Sequence, residues 1–236
     1  MRLKYLGPVA DTVLVMKHRT ADSGRGGKGW RGSRLGRVYR HRRARSDRGA
    51  ALIEAAIILP VLMVFLLGII EFGLVYATGA TATGASRSGA RLAAAAFGPE
   101  KATLSTSAGN VAAAVSADLG ALTSAVPVGM VIYRVNPTGT NGAPSGGFPS
   151  ANATMSGGCT ANCFRYKWDA TSKKMVPDGG PGWTMANSSV CNAATADSVG
   201  VWVLIRHSYL TKLIGQYNYV EGKTIMRLEP LPSDQC

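Results

Sequence analysis

The feature that most constrains this chain is an uncharged, almost wholly apolar run at residues 55–70, with the sequence AAIILPVLMVFLLGII. Extended to residues 50–76, the run would be about 40 Å long as a helix, since an α-helix rises about 1.5 Å per residue. Such a helix crosses a hydrocarbon core of about 30 Å with some tilt. The later apolar stretches are short and alternate like strands. We therefore predict a single transmembrane helix.

The positive charge of the chain is concentrated before this run. The net charge is +13, but residues 1–48 hold 14 Lys and Arg against three Asp, whereas residues 49–236 hold 12 Lys and Arg against ten acids. The first 48 residues are also rich in glycine and poor in apolar residues, which favours disorder. A basic segment directly before a span is typical of a cytoplasmic flank. We predict a cytoplasmic N-terminus, an exported C-terminal part and no nucleic-acid binding, since no nucleic-acid-reading domain accompanies the basic arm.

Two glutamates flank the apolar run, although charge inside a membrane is costly. Glu54 follows Gly49 by five residues. If the chain were cut between Gly49 and Ala50, Glu54 would lie about one turn from a new α-amino group. There it would complement the positive end of the helix or neutralise an ammonium group of a neighbouring subunit.

The second acid, Glu71, lies about 25 Å further along the same helix. At this position it should sit near the outer headgroups, either as a solvated interfacial acid or as a functional one. In the functional case, Arg87 and Arg91 of a neighbouring subunit are the candidate partners, because residues four apart share one helix face.

The helix should continue outside the membrane, because no strong stop occurs before Gly98-Pro99. Small residues recur at every fourth position, at Ala80, Gly84 and Ser88. Such a stripe permits close packing of helices.

Three stretches resemble the TadE-like family: RGAALIEAAIILPVLMVFLLGIIEFG, ATATGASRSGARLAAA and the C-terminal strands ending in TIMRLEP. The resemblance implies a pilin-like component of the tight-adherence (Flp) pilus system. It also implies cleavage after Gly49 by a membrane prepilin peptidase, and partners among other pilin-like subunits and the pilus assembly platform. The alternative is an uncut signal anchor, with Glu54 reaching the cytoplasmic headgroups, that tethers an extracellular binding or sensor module. The true start, Met1 or Met16, stays open.

The exported part predicts an α+β fold. Apolar residues spaced by three or four from Leu104 to Leu122 predict a second helix that starts near Pro99. Alternating patterns predict strands at 128–136, 198–210 and 217–230, a loop at 136–158 and a hairpin that turns near 170–172. The strand at 198–210 is apolar on both faces, which predicts a central strand that is covered on both sides. The predicted architecture is a long N-terminal helix, a second helix and a small antiparallel sheet. The predicted regions are a leader (1–48), the transmembrane and extended helix (49–97) and an exported domain (98–236).

All four cysteines, Cys159, Cys163, Cys191 and Cys236, follow the span. An even number of cysteines on the exported side favours two disulfides, and three connectivities are possible. A zinc site is the weaker alternative, because only the first two cysteines are close in sequence. We expect no cofactor.

Enzyme chemistry finds little support in the sequence. The exported region contains one histidine, His207, whose neighbour Ser208 should point to the opposite face of a strand. No glycine-rich phosphate loop joins a strand to a helix. We therefore predict that the protein is not an enzyme.

Overall fold

The structure is a computed structural model that describes residues 47–97, 104–139, 141–184, 196–212 and 215–230. Almost all of the predicted leader lies outside the described residues. The same holds for Cys191 and Cys236.

Helix α1 runs without a break from Asp47 to Ala96 and includes Pro60. At about 1.5 Å per residue its 50 residues are about 75 Å long. The predicted continuation beyond the span is confirmed. The helix has two distinct halves, because side chains of residues 50–70 are largely exposed, whereas one face is buried at every third or fourth residue from Glu71 onward.

Helix α2 spans Leu104–Leu119 and buries the predicted apolar face, which contains Leu104, Ala108, Val111, Val115 and Leu119. It packs beside the second half of α1 at Gly89. A Cβ atom on Gly89 would lie 2.7 Å from Cγ2 of Val115, so a larger residue there would push the two helices apart or displace the valine. The Ser107 hydroxyl also donates a hydrogen bond to the carbonyl of Ala96 at the end of α1.

Five antiparallel strands form one sheet in the order β3-β2-β1-β4-β5. The strands are β1 (Ala125–Arg134), β2 (Cys163–Asp169), β3 (Lys174–Pro177), β4 (Ser198–Ser208) and β5 (Tyr217–Arg227). The carboxylate of Asp169 accepts hydrogen bonds from the backbone N–H groups of Thr171 and Ser172, which fixes the β2–β3 turn where the sequence predicted it. The α+β fold is confirmed.

Both faces of the sheet are covered, as the apolar alternation in β4 predicted. One face packs against α1 and α2 through Met130, Ile132, Val199, Val201, Val203 and Ile205. The opposite face packs against the long loop between β1 and β2 through Val131, Tyr133, Trp202 and Leu204, with Phe148, Met155 and Cys159 supplied by the loop.

The second half of α1 belongs to the core of the domain. It crosses β5 in backbone contact, since a Cβ atom on Gly222 would lie 2.2 Å from the carbonyl oxygen of Ala82. The hydroxyls of Ser86 and Thr224 form a hydrogen bond of 2.8 Å across the same contact. The described residues from Arg48 onward form one compact unit.

Candidate functional site

No other described residue covers the first half of α1. Its large apolar side chains range in exposure from 36% at Leu67 to 72% at Leu52. Residues 50–70 are about 30 Å long as a helix, which equals the thickness of a bilayer's hydrocarbon core. Among the described residues, α1 is the one helix long and apolar enough to cross a membrane. A stretch this apolar needs lipid or another apolar surface around it.

The predicted cleavage position lies at the start of this stretch. Ala50 is exposed, and a Cβ atom on Gly49 would meet no other atom within 4 Å. Within the described part of the chain, no side chain covers the peptide bond between them. Glu54 is exposed one turn further on, and no described residue forms an ion pair with it. Its carboxylate is available to a group outside this chain.

Of the two roles predicted for Glu71, the structure excludes the solvated interfacial acid. Its side chain is only 2% exposed. One carboxylate oxygen, Oε1, accepts a hydrogen bond of 2.6 Å from the backbone N–H of Thr211 and one of 2.9 Å from the Thr211 hydroxyl. Bonds to a charged acceptor are stronger than neutral ones. Glu71 thus ties the β4–β5 connection to the helix, a contact between residues 140 positions apart that no local sequence pattern indicates.

A second buried polar pair lies two turns further along α1. The Thr78 hydroxyl donates to the carbonyl of Leu74, and its oxygen lies 3.0 Å from Nδ1 of His207. Because the single hydroxyl proton serves Leu74, Nδ1 of His207 is the donor to Thr78. His207 is fully buried against the helix, whereas Ser208 is exposed. The prediction that these neighbours point to opposite faces is confirmed.

Two buried atoms of this region, Oε2 of Glu71 and Nε2 of His207, have no hydrogen-bond partner among the described residues. Glu71 also lines a small cavity of about 150 Å³, together with Phe72, Val75, Tyr209 and Asn218. The cavity lies between α1 and the adjacent ends of β4 and β5, directly after the apolar stretch of residues 50–70 ends.

The small-residue stripe is partly open. Ala80 and Gly84 are exposed, and both line a groove of about 560 Å³ along α1 that also includes Arg87. Arg87 and Arg91 are both exposed. Ser88 is half-buried, and its hydroxyl donates to the carboxylate of Asp118 in α2. The face available to a neighbour is therefore centred on Ala80 and Gly84, while Ser88 also serves the contact between the two helices.

Cys159 and Cys163 form a disulfide with their Cα atoms 6.1 Å apart. The bridge joins the end of the loop that covers the outer face of the sheet to the first residue of β2. The other two predicted disulfide residues lie outside the described part of the chain. Within the described part, no group of three or more His, Cys, Asp or Glu side chains is placed to hold a metal ion.

The family model described as TadE-like protein matches residues 49–91. This segment contains the bare half of α1, Glu54, Glu71 and the small-residue stripe, and the match confirms the resemblance to that family. No curated protein and no solved structure matches the chain.

Proposed function

We propose that this chain, a TadE-like protein over residues 49–91, is a pilin-like component of a tight-adherence (Flp) pilus system. It assembles with partner subunits through the first half of α1. The observation that carries the proposal is the uncovered apolar stretch of residues 50–70, which begins next to an exposed acid. While the protein is in the membrane, lipid surrounds this stretch. In the assembled pilus, the helices of other subunits take the place of the lipid.

Glu54 gives the stretch its specificity. A carboxylate in an apolar surround is costly unless a cation pairs with it. Cleavage between Gly49 and Ala50 would create such a cation, the α-amino group, on every subunit. The acid of one subunit and the amine of its neighbour then neutralise each other and fix the axial register of the two helices.

The charge distribution gives the orientation. The basic residues before Ala50 stay in the cytoplasm under the positive-inside rule, so the sheet and α2 are exported. The Cys159–Cys163 disulfide supports this orientation, because disulfides persist outside the cytoplasm.

The first test is the mature N-terminus. The full chain is expressed in cells with and without a prepilin peptidase, and the membrane-extracted protein is analysed by intact mass and N-terminal sequencing. We expect Ala50 as the first residue only when the peptidase is present. Gly49→Val should keep the leader attached, because a branched side chain crowds the approach to the bond. Protein that begins at Met1 or Met16 in both strains would refute the cleavage.

The second test separates insertion from assembly at Glu54. Glu54→Gln and Glu54→Ala remove the charge, so both variants should insert into the membrane at least as well as the parent chain. Both should lose crosslinks between two differently tagged copies, whereas Glu54→Asp should retain them. Glu229→Gln, which removes an exposed acid far from the bare stretch, is the matched control. Unimpaired crosslinking of Glu54→Ala would favour the alternative, a signal-anchored extracellular module.

A further inference from the structure

The end of the domain nearest the bare helix presents a distinct surface. The hydrogen bonds from Thr211 to Glu71 hold the β4–β5 connection against α1, directly after the apolar stretch ends. Tyr209 lines the same small cavity as Glu71 and Phe72. Tyr209 and Thr211 are therefore held beside the helix at the depth where the apolar stretch gives way to the folded domain.

Five exposed side chains at this end are apolar, aromatic or basic, among polar neighbours such as Ser208 and Asn218. The exposed fractions are 71% for Phe72, 81% for Tyr76, 70% for Leu210 and 51% for Tyr217. Lys212 is exposed as well. Tyr217 belongs to this end because it pairs with Ser208 in the β4–β5 ladder. We call these five residues the collar.

Depth and charge both identify the surface that the collar fits. If residues 50–70 fill a hydrocarbon core of about 30 Å, the collar lies at the level of the outer headgroups. Aromatic rings concentrate at that level, and lysine reaches from it to the phosphates. The guanidinium of Arg206 lies 5.8 Å from the ring centre of Tyr217, and no acidic residue occurs between Arg206 and Asn218 in the sequence. The charge on the β4–β5 side of the collar is thus basic and suits an anionic lipid surface. Of the acids near it, Glu71 is buried, and Glu221 lines the groove beside Tyr76.

We propose that the collar is a second membrane contact, which seats the exported domain on the outer leaflet with Leu210 inserted at the boundary between headgroups and acyl chains. Glu71 is the positioning residue, since it holds the Leu210–Thr211 segment against α1. The proposal rests on the membrane span of the proposed function. It adds that the domain lies on the bilayer instead of standing free above it.

The test uses the full chain in bilayers that contain anionic phospholipids brominated near the top of the acyl chains, which quench nearby tryptophan. Leu210→Trp reports the collar, and Phe65→Trp reports the span. Ile225→Trp is the matched control, since Ile225 is also an exposed apolar residue of this domain but lies about 26 Å from Tyr217 along β5. Each signal is the difference from the parent chain, which contains four tryptophans.

We expect strong quenching of Phe65→Trp and Leu210→Trp and none of Ile225→Trp. Quenching at Phe65 without quenching at Leu210 would overturn the collar and leave the span intact. If Leu210→Trp shows no quenching by the brominated lipid and position 210 instead crosslinks to a second copy, the surface is a protein interface and the proposal is wrong. A lack of quenching at Phe65 would refute the span itself, and the collar with it.

The role of Glu71 is tested in the Leu210→Trp background. Glu71→Ala removes the acceptor of the Thr211 bonds and should abolish quenching at Leu210, while Glu71→Gln retains an acceptor oxygen and should restore it. Near-ultraviolet circular dichroism checks that each variant is folded. Lys212 is exposed, so Lys212→Glu should leave the fold intact. This variant should lower the quenching at Leu210→Trp in anionic bilayers and have little effect in zwitterionic ones. Full quenching with both Glu71→Ala and Lys212→Glu would overturn the assigned roles.

Discussion

Substituting Gly222 by alanine tests whether the second half of α1 is an integral part of the domain. The new Cβ atom would lie 2.2 Å from the carbonyl oxygen and 2.3 Å from the carbonyl carbon of Ala82. Both atoms belong to the helix backbone, so no side-chain rotation relieves the clash. The helix must move away from β5 by at least an ångström.

The cost follows from the contacts at this crossing. Overpacking a well-packed core costs about 1–3 kcal/mol, and an unyielding backbone favours the upper end of that range. Displacement of the helix also strains the Ser86–Thr224 and Thr78–His207 hydrogen bonds, each worth about 1 kcal/mol. We expect a loss of about 3–5 kcal/mol of unfolding free energy.

The assay is thermal unfolding of the full chain in detergent, followed by circular dichroism. For a domain of this size each kcal/mol lowers Tm by about 2–4 °C, so Gly222→Ala should lower Tm by about 10 °C. Gly73→Ala is the control on the same helix, because a Cβ atom there meets nothing within 4 Å; it should leave Tm unchanged or slightly raised. An unchanged Tm for Gly222→Ala would show that α1 does not lie in backbone contact with β5, and the packing described above would be wrong.

Further predictions concern the stripe, the disulfide and a buried tyrosine. Gly84→Ala should stabilise the isolated protein by up to about 1 kcal/mol, since alanine favours helix, yet weaken crosslinking between subunits by filling the groove. Gly109→Ala in α2, equally open, should stabilise without that loss. Replacing Cys159 and Cys163 by alanine should cost about 2 kcal/mol in denaturant unfolding, the low end expected for a short loop. Burial raises the pKa of the Tyr133 phenol above its usual value of about 10. The neutral phenol therefore contributes stability that is complete below pH 10 and is lost as the pH rises further. Tyr133→Phe should flatten this alkaline loss in unfolding experiments between pH 9 and about 11.

Local patterns in the sequence were sufficient to predict the elements of the fold. The α2 face is an uninterrupted helical spacing, and the alternation of valines with Trp202 and Leu204 in β4 predicted a strand buried on both sides. The hairpin turn follows from Asp169 and the short polar residues after it. The carboxylate of Asp169 accepts hydrogen bonds from the backbone N–H groups of these residues. In each case the residues that decide the structure are close together in the chain.

Contacts between distant residues could not be predicted in this way. The sequence shows Glu71 as an acid at the edge of an apolar run, which is equally consistent with a solvated side chain. Its burial depends on Thr211, 140 residues away. Gly222 likewise appears as a strand glycine, a weak sign of close backbone approach, and only the fold identifies Ala82 as its neighbour. The Gly49–Glu54 pair could be recognised in the sequence, because the two residues lie within one and a half helical turns of each other.

The unbroken course of α1 couples the orientation of the folded domain to that of the apolar stretch. Residues 71–96 of the helix are held rigidly in the domain and extend about 39 Å beyond the apolar stretch. Membrane helices tilt by about 20° on average, and a tilt change of that size would swing the far end of this segment sideways by about 13 Å. Pro60, the internal proline of the helix, lies below the domain, so bending there rotates everything above it as one body. Because a long span adjusts its tilt to the thickness of the bilayer, that thickness would set the orientation of the domain relative to the membrane.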